Sequence, residues 1–202
     1  MKRIAVLASG RGSNFQAIID RVNDGYINAE LVCLITDKPG AHSVKRAEDA
    51  GIPVKIVDYS SFESREEYNK KLHDSMVEIN ADLFVLTGYM RLLDKKTAKE
   101  FHEKMINIHP ALLPAFSGLN AQRQAVSYGV KVAGCTVHFV DEGMDTGPII
   151  LQHFVPVFDD DDEEKLTERI LKEEHIALPK AIKLFCEDLI KIEGRKVRIF
   201  NN

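Results

Sequence analysis

The chain starts with two adjoining stretches that indicate its fold class: Arg3-Ile-Ala-Val-Leu-Ala8 and then Ser9-Gly-Arg-Gly-Ser-Asn14. The first is a nearly continuous apolar run, which is typical of a strand covered by helices on both faces. The second is a glycine-rich turn, where Ser13 with Gln16 three residues later forms a capping-box pattern. Helical spacing of apolar residues follows, at Phe15, Ile18, Ile19 and Val22. The chain is therefore predicted to start with a strand, a tight turn and a helix.

The same alternation continues through the first half of the chain. A further helix is predicted after Ser60-x-x-Glu63, with an apolar face made of Tyr68, Leu72, Met76 and Ile79. Strand-like apolar runs occupy residues 31–35, 54–57, 83–86 and 105–109. Strands that alternate with helices in this rhythm predict an α/β fold with a mostly parallel central sheet, right-handed crossovers and helices on both faces.

The pattern changes after Ala133. Residues 134–140 and 149–157 are rich in β-formers and are joined by a turn-prone stretch, which predicts an antiparallel excursion in the C-terminal half. The acidic run 159–164 is interpreted as a solvated helix start rather than a metal site, because carboxylates suit the positive end of the helix dipole. One long amphipathic helix is predicted next, kinked or split at Pro179. Its apolar positions are Leu166, Ile170, Leu178 and Ile182.

Composition limits the classes of protein to be considered. The 202 residues include 27 Lys or Arg and 31 Asp or Glu, a formal net charge of −4, and 45% are hydrophobic, which predicts one domain over residues 1–202. A mildly acidic chain offers no basic face for nucleic acid. No stretch approaches the roughly 20 apolar residues that span a bilayer, and the turn at 9–14 comes too early for a signal peptide. Cys33, Cys135 and Cys186 are scattered and odd in number, without the spacing of a metal site, so a disulfide scaffold is not expected. We therefore expect a protein of the reducing cytoplasm.

The turn at residues 9–14 is a candidate anion site. A helix start presents unpaired N–H groups and the positive end of the dipole, and glycine lets an anion approach the backbone. A dinucleotide fingerprint requires glycine or alanine where Phe15 stands, and a Walker lysine is missing, so a phosphate monoester fits better. The alternative interpretation is structural: Ser13 caps the helix and the glycines only form the turn.

The segment Asn107-Ile-His109-Pro110 is a candidate catalytic element. If residues 105–109 form a strand, Asn107 and His109 share one face at its carboxyl end, where ligands bind in open α/β sheets. Two donors aimed at one point are suited to stabilising a tetrahedral oxyanion. The alternative is a histidine that only satisfies a neighbouring turn.

Asp145 lies in Gly143-Met-Asp-Thr-Gly147, a loop that is expected to return to the same edge. A carboxylate within about 4–6 Å of His109 would raise the pKa of its imidazole and keep it protonated near neutral pH. The alternative interpretation is that Asp145 is only a turn residue, because an aspartate near glycines is common in turns. The remaining histidines show no metal-ligand spacing and are predicted to be surface or core residues: His42, His73, His102, His138, His153 and His175.

Four motifs resemble the folate-dependent formyltransferases over essentially the whole chain: 8–14, Gly88-Tyr-Met-Arg-Leu-Leu93, Ile106-Asn-Ile-His-Pro-Ala-Leu-Leu-Pro114 and 137–150. The Asn-x-His-Pro block with a later Asp-x-Gly-Pro resembles the superfamily, and the Ser-Gly-x-Gly-Ser-Asn start resembles its phosphoribosylglycinamide formyltransferases. The resemblance implies a Rossmann-like formyltransferase fold. It also implies a phosphoribosyl-substrate half at 1–100 and a folate-binding, catalytic half at 101–202.

The resemblance further implies a reaction: the formyl group of 10-formyltetrahydrofolate, a co-substrate, passes to the glycyl amine of glycinamide ribonucleotide in de novo purine biosynthesis, without a metal. Asn107, His109 and Asp145 match the catalytic trio. The implied ribonucleotide-binding residues are Gly12, Ser13, Asn14 and Glu174. The implied folate-binding residues are Arg65, Met90, Arg91, Leu92, Leu93, Asn107, Asp141, Glu142, Gly143, Met144 and Asp145.

Other interpretations remain open at this point. Some relatives carry histidine at the positions of Asn120 and Gln122, or a polar residue at Leu171, which affects the substrate loop rather than the trio. A formyltetrahydrofolate hydrolase or another formyltransferase of the superfamily is the nearest alternative. A NAD-dependent oxidoreductase, with Asp37 as the ribose-binding acid, and a non-catalytic nucleotide-binding module belong to other classes. The expected partners are small molecules, with neither nucleic acid nor membrane, for a monomer or a homodimer.

Overall fold

The computed structural model describes residues 1–200, which form two compact units: residues 1–106, and the residues from Asn107 onward. The elements of the first unit are, in chain order, β1 (Lys2–Leu7), α1 (Ser13–Asn23), β2 (Ala29–Thr36), α2 (His42–Asp49), β3 (Val54–Ile56), a 3-10 turn (Tyr59–Ser61), α3 (Arg65–Ile79), β4 (Leu83–Leu86) and α4 (Lys95–Glu100). Its strands lie in the order β3-β2-β1-β4, and each neighbouring pair is parallel.

Burial explains why β1 lies in the interior of this sheet. Ile4, Val6 and Leu7 are fully buried, although their side chains alternate between the two faces of the strand. Both faces are therefore covered, as the continuous apolar run predicts.

The starts of α1 and α3 differ from the predicted capping patterns. The N-cap of α1 is Gly12, in a left-handed conformation with φ of 67°, and no side chain caps this helix, so the Ser13–Gln16 capping box is wrong. The helix predicted to start after Ser60-x-x-Glu63 begins later, because Ser60 lies in the 3-10 turn. Helix α3 follows Ser64, whose side chain accepts a hydrogen bond from the Glu67 N–H. In α1, the backbone turn of glycine replaces side-chain capping.

Strand β5 (Met105–His109) crosses from the first unit into the second. The other elements of the second unit are α5 (Ala121–Tyr128), β6 (Val132–Phe139), β7 (Ile149–Pro156), α6 (Glu163–Cys186), β8 (Ile190–Glu193) and β9 (Lys196–Ile199). Their strand order is β5-β6-β7-β9-β8, with β6–β7 and β8–β9 antiparallel and β7–β9 parallel. The predicted fold class is confirmed: a mixed, mostly parallel α/β architecture with antiparallel C-terminal strands.

The predicted long amphipathic helix is confirmed as α6, which continues through Pro179 and is not split there. Its predicted apolar face is buried, from Leu166 to Ile182. The acidic run starts the helix, because the Asp162 side chain accepts a hydrogen bond from the Lys165 N–H at 2.8 Å. Asp161 pairs with Arg169 at 2.6 Å, and this hydrogen bond lowers the pKa of Asp161 to about 2. Across residues 1–200, no helix has the length and apolarity needed to cross a membrane.

Candidate active site

The second unit brings the three predicted catalytic side chains together. Asn107 and His109 lie on β5, and Asp145 lies in the loop between β6 and β7. His109 Nδ1 is 3.4 Å from Asp145 Oδ2, and the side chains are only 6% and 14% exposed. In such a buried setting the carboxylate and the imidazole interact more strongly than they would in water.

Asp145 is held in place by backbone geometry. It adopts a left-handed conformation with φ of 56°, and its Oδ2 accepts a hydrogen bond from the Gly118 N–H at 2.8 Å. The loop before it is tied by Asp141, whose Oδ1 accepts hydrogen bonds from the Gly143 N–H at 3.0 Å and the Thr146 hydroxyl at 2.6 Å. Gly143 packs so closely on Thr146 that an added Cβ would lie 2.0 Å from its hydroxyl oxygen. The Asp141 carboxylate therefore has a structural role within the loop.

Both ring nitrogens of His109 face oxygen atoms. Nε2 lies 2.9 Å from the carbonyl oxygen of Phe116, while Nδ1 faces the Asp145 carboxylate. Carbonyl and carboxylate oxygens are acceptors, so a ring with N–H on both nitrogens satisfies both of them. For His109 to donate to a ligand through Nε2, the ligand oxygen must replace the Phe116 carbonyl.

His138 on β6 joins this cluster, although it was predicted to be only a surface or core residue. Its Nδ1 is 2.8 Å from the Phe139 carbonyl oxygen, which requires a proton on Nδ1. The unprotonated Nε2 then accepts a hydrogen bond from Asn107 Nδ2 at 3.2 Å. Burial lowers the pKa of His138 and favours this neutral form. One Asn107 N–H is thereby fixed on His138, and the second has no hydrogen-bond partner among residues 1–200.

The low pKa of His138 predicts acid sensitivity of the fold. The unfolded chain binds a proton at His138 near the ordinary pKa of 6.5, whereas burial opposes that proton in the folded chain. Stability is therefore present above that pH and is lost as pH falls below it. His138→Gln keeps an acceptor without titrating, so it should reduce the loss of unfolding free energy between about pH 7.5 and about pH 5.5, measured by urea unfolding. Exposed His102→Gln is the control; identical pH profiles for the two variants would contradict the prediction.

The first unit contains the predicted anion-binding turn. Ser13 and Asn14 open α1, and the first bond of its helical ladder runs from the Gln16 N–H to the Gly12 carbonyl at 2.9 Å. The N–H groups before Gln16 therefore lie outside the ladder, at the positive end of the helix dipole. The arrangement is suited to binding an anion.

The segment 88–93 of the same unit is fixed at several points. The Met90 N–H donates to the Ser9 hydroxyl at 2.9 Å, and Arg65 donates to the Leu92 carbonyl at 3.1 Å. Arg91 pairs through Nε with Asp37 Oδ2 at 2.7 Å, and its guanidinium lies 3.8 Å from the centroid of the Tyr59 ring. Met90 and Leu92 keep exposed side chains. The sequence patterns gave no sign of the contacts made by Ser9, Asp37 and Tyr59.

The remaining predicted positions belong to the second unit. Glu174 on α6 is buried. The pKa of Cys135 is raised to about 12, first by the burial of its own thiol and then by the negative charge of Glu174. Asn120 is the N-cap of α5 and adopts a left-handed conformation with φ of 58°. In the loop after β6, Glu142 and Met144 are exposed.

Comparison with known proteins places the chain in a family. The family described as formyl transferase matches residues 2–182. The chain belongs to this family. Phosphoribosylglycinamide formyltransferase of Bacillus subtilis is 44% identical over 183 residues, which cover 91% of this chain and 94% of that protein. The formyltransferase resemblance of the sequence motifs is thus confirmed.

The chain is also similar to part of a longer protein and to several solved structures. The trifunctional purine biosynthetic protein adenosine-3 of Drosophila melanogaster is 48% identical over 183 residues, and this formyl transferase chain covers 14% of its length. The structure of glycinamide ribonucleotide transformylase 1 from Symbiobacterium toebii has a TM-score of 0.96 at 48% identity, covering 100% of this chain and 95% of that one. The structure of a formyltetrahydrofolate deformylase from Pseudomonas syringae has a TM-score of 0.93 at 27% identity. The match covers 99% of this chain and 66% of the deformylase chain.

Proposed function

We propose that this formyl transferase moves the formyl group of 10-formyltetrahydrofolate to the glycyl amine of glycinamide ribonucleotide, a step of purine biosynthesis. The observation that carries the proposal is the cluster of Asn107, His109 and Asp145, in which a fixed amide keeps one N–H available. The names of the Bacillus and Symbiobacterium relatives support the choice of substrate. The buried thiols of Cys33 and Cys135 are free, which is compatible with the cytoplasmic location that we include in the proposal.

In the first chemical step, the amine nitrogen attacks the formyl carbon and a C–N bond forms. Negative charge then develops on the formyl oxygen. The free N–H of Asn107 and the Nε2–H of His109 would stabilise that oxyanion, the latter after the substrate oxygen has replaced the Phe116 carbonyl. These contacts strengthen as charge develops, so they lower the barrier more than they tighten ground-state binding.

In the second step, the bond between the formyl carbon and N10 of the folate breaks and the oxyanion returns to a carbonyl. The attacking amine must lose a proton and the folate nitrogen must gain one. His109 is the group that we assign to this transfer, directly or through a water molecule. The carboxylate of Asp145, 3.4 Å away, would stabilise positive charge on the ring while it carries the proton. The proposed mechanism uses no metal.

We assign the binding roles unit by unit. In the first unit, Gly12, Ser13 and Asn14 would hold the ribonucleotide phosphate, and residues 90–93 would contact the folate. In the second unit, Glu174 would bind the ribose hydroxyls, and the exposed residues 142–144 would contact the folate. Arg65 would act by holding the Leu92 carbonyl, and Asp141 by tying its loop. A monomer and a homodimer both fit these assignments.

The buried Asp37 provides a test of the folate assignment. Its side chain is 0% exposed and its Oδ2 holds Arg91, next to the backbone assigned to folate. Asp37→Asn weakens this charge-assisted bond, so we expect the KM for 10-formyltetrahydrofolate to rise roughly threefold to tenfold, with kcat and the KM for the ribonucleotide little changed. Steady-state kinetics with each substrate varied in turn checks this. A change confined to the ribonucleotide KM would contradict the assignment, and exposed Asp74→Asn is the control.

Two other functions predict different results. A deformylase would use the same oxyanion contacts with water as nucleophile, and the fold similarity to the Pseudomonas deformylase makes this the main competitor. A NAD-dependent oxidoreductase is less compatible, because Phe15 is buried at the third fingerprint position and Asp37 is already paired with Arg91.

Product analysis tests the proposed function. The purified protein is incubated with 10-formyltetrahydrofolate and glycinamide ribonucleotide, and the products are identified by mass spectrometry. We expect formylated ribonucleotide and tetrahydrofolate in equal amounts. Free formate with unmodified ribonucleotide would identify a deformylase, and binding of NADH in a parallel titration, without formyl transfer, would favour the oxidoreductase.

A further inference from the structure

Helix α2 donates two hydrogen bonds to the anion-binding turn and one to the neighbouring residue Gln16 of α1. The Ser43 N–H donates to the Gly10 carbonyl at 3.1 Å. Arg46 Nε donates to the Arg11 carbonyl at 2.9 Å, and Arg46 Nη1 donates to Gln16 Oε1, also at 2.9 Å. Arg46 therefore connects the turn to the first turn of α1, and two successive carbonyls of the turn face α2.

These contacts fix the direction of the next N–H groups. In a trans peptide the carbonyl and the following N–H point in opposite directions. Because the carbonyls of Gly10 and Arg11 are bound to α2, the N–H groups of Arg11 and Gly12 point away from α2. Successive N–H groups that converge next to a left-handed residue, as at Gly12, form an anion-binding nest.

Close packing prevents the turn from relaxing toward α2. A Cβ added to Gly12 would lie 2.8 Å from Ser43 Cβ and 3.4 Å from Arg46 Cδ. Ser43 is fully buried, so this side of the turn rests on a fixed surface. The remaining freedom of the turn is rotation of its peptide groups, which the Arg46 bond opposes.

We propose that Arg46 is a positioning residue for phosphate binding: it orients the peptide groups of residues 11 and 12 toward the anion. The proposal deepens the proposed function, on which it rests for the identity of the ribonucleotide. The proposed role requires an arginine, because two N–H groups of one planar guanidinium bind the Arg11 carbonyl and Gln16 Oε1 at once. A lysine in its place retains the charge and loses this geometry.

The test compares Arg46→Lys and Arg46→Met with Lys45→Met, a neighbouring surface variant that breaks only an exposed pair with Asp49. For both Arg46 variants we expect the KM for glycinamide ribonucleotide to rise about tenfold, with kcat and the KM for 10-formyltetrahydrofolate within about twofold of wild type. Lys45→Met should change none of these constants. Thermal unfolding shows whether each variant is folded, and Arg46→Lys keeps the test valid if Arg46→Met is unstable.

Several outcomes would overturn the proposal. Wild-type affinity in Arg46→Lys would show that charge alone is sufficient, and equal changes in both KM values would indicate a general structural role. Calorimetric titration with ribose 5-phosphate gives a readout that does not require formyl transfer. Weaker binding in both Arg46 variants supports the positioning role even if the proposed reaction fails, whereas equal binding in all four proteins rejects it.

Discussion

Replacing Asn107 by alanine is expected to lower kcat about 10²- to 10³-fold, with the KM for the ribonucleotide within about threefold of wild type. The amide has one N–H bound to His138 and the other without a partner among residues 1–200, so it supplies a donor whose direction is already set. Such a donor acts mainly where negative charge develops, which is in the tetrahedral intermediate. A loss of comparable size is expected for His109→Ala, because it removes both the second donor and the group assigned to proton transfer.

Steady-state kinetics, supported by thermal unfolding, measures these effects. Asn23→Ala on the exposed end of α1 is the matched control and should retain wild-type kcat. Near-normal turnover in both Asn107→Ala and His109→Ala would contradict the oxyanion assignment. A large rise in KM at unchanged kcat would instead assign both residues to ground-state binding.

Gly12→Ala is expected to raise the KM for glycinamide ribonucleotide by about 10²-fold or more, with a smaller effect on the KM for the folate. Two causes act together. The left-handed conformation costs an alanine about 1 kcal/mol, and the new Cβ lies 2.8 Å from Ser43 Cβ and 3.0 Å from its Cα. Because the second contact is with backbone, the turn must move, and its N–H groups lose their alignment with the phosphate.

Gly25→Ala separates the two causes. Gly25 has a similar φ of 78°, and an added Cβ there meets nothing within 4 Å. This control should lose stability by about 1 kcal/mol and keep both KM values. If Gly12→Ala and Gly25→Ala give the same ribonucleotide KM, the close approach of the turn to α2 does not matter for substrate binding.

The hydrophobic pattern predicted the strands best where they are buried on both faces. The bounds of β4 and β5 agree with the predicted runs, because β4 is entirely apolar and buried and the apolar residues of β5 are buried on both sides of Asn107. Helix caps were less predictable. The pattern Ser13-x-x-Gln16 satisfies a local rule, yet Gly12 supplies a left-handed N-cap that no side-chain motif reveals.

The C-terminal hairpin of β8 and β9 was not predicted. Each strand has only four residues, with polar side chains among the apolar ones, so its periodicity is too short to be distinguished from a loop. Pairing with β7 stabilises it, and such pairing depends on residues distant in sequence.

The candidate site likewise contains one part that the sequence predicts and another part that depends on the folded structure. The two-residue period of a strand is enough to place Asn107 and His109 on one face. The contact of Asn107 with His138 requires the alignment of neighbouring strands β5 and β6, and the contact of His109 with Phe116 requires a loop conformation. The one available sign of His138 was its position within the motif at residues 137–150.

Formyl transfer to the amine is tested by the rate at which the wild-type protein removes the formyl group from 10-formyltetrahydrofolate, with and without saturating glycinamide ribonucleotide. If the cluster around Asn107 and His109 directs the amine onto the formyl carbon, rapid deformylation requires the ribonucleotide and consumes one amine for each folate. Deformylation at the same rate without the ribonucleotide, with formate as the product, would contradict this account.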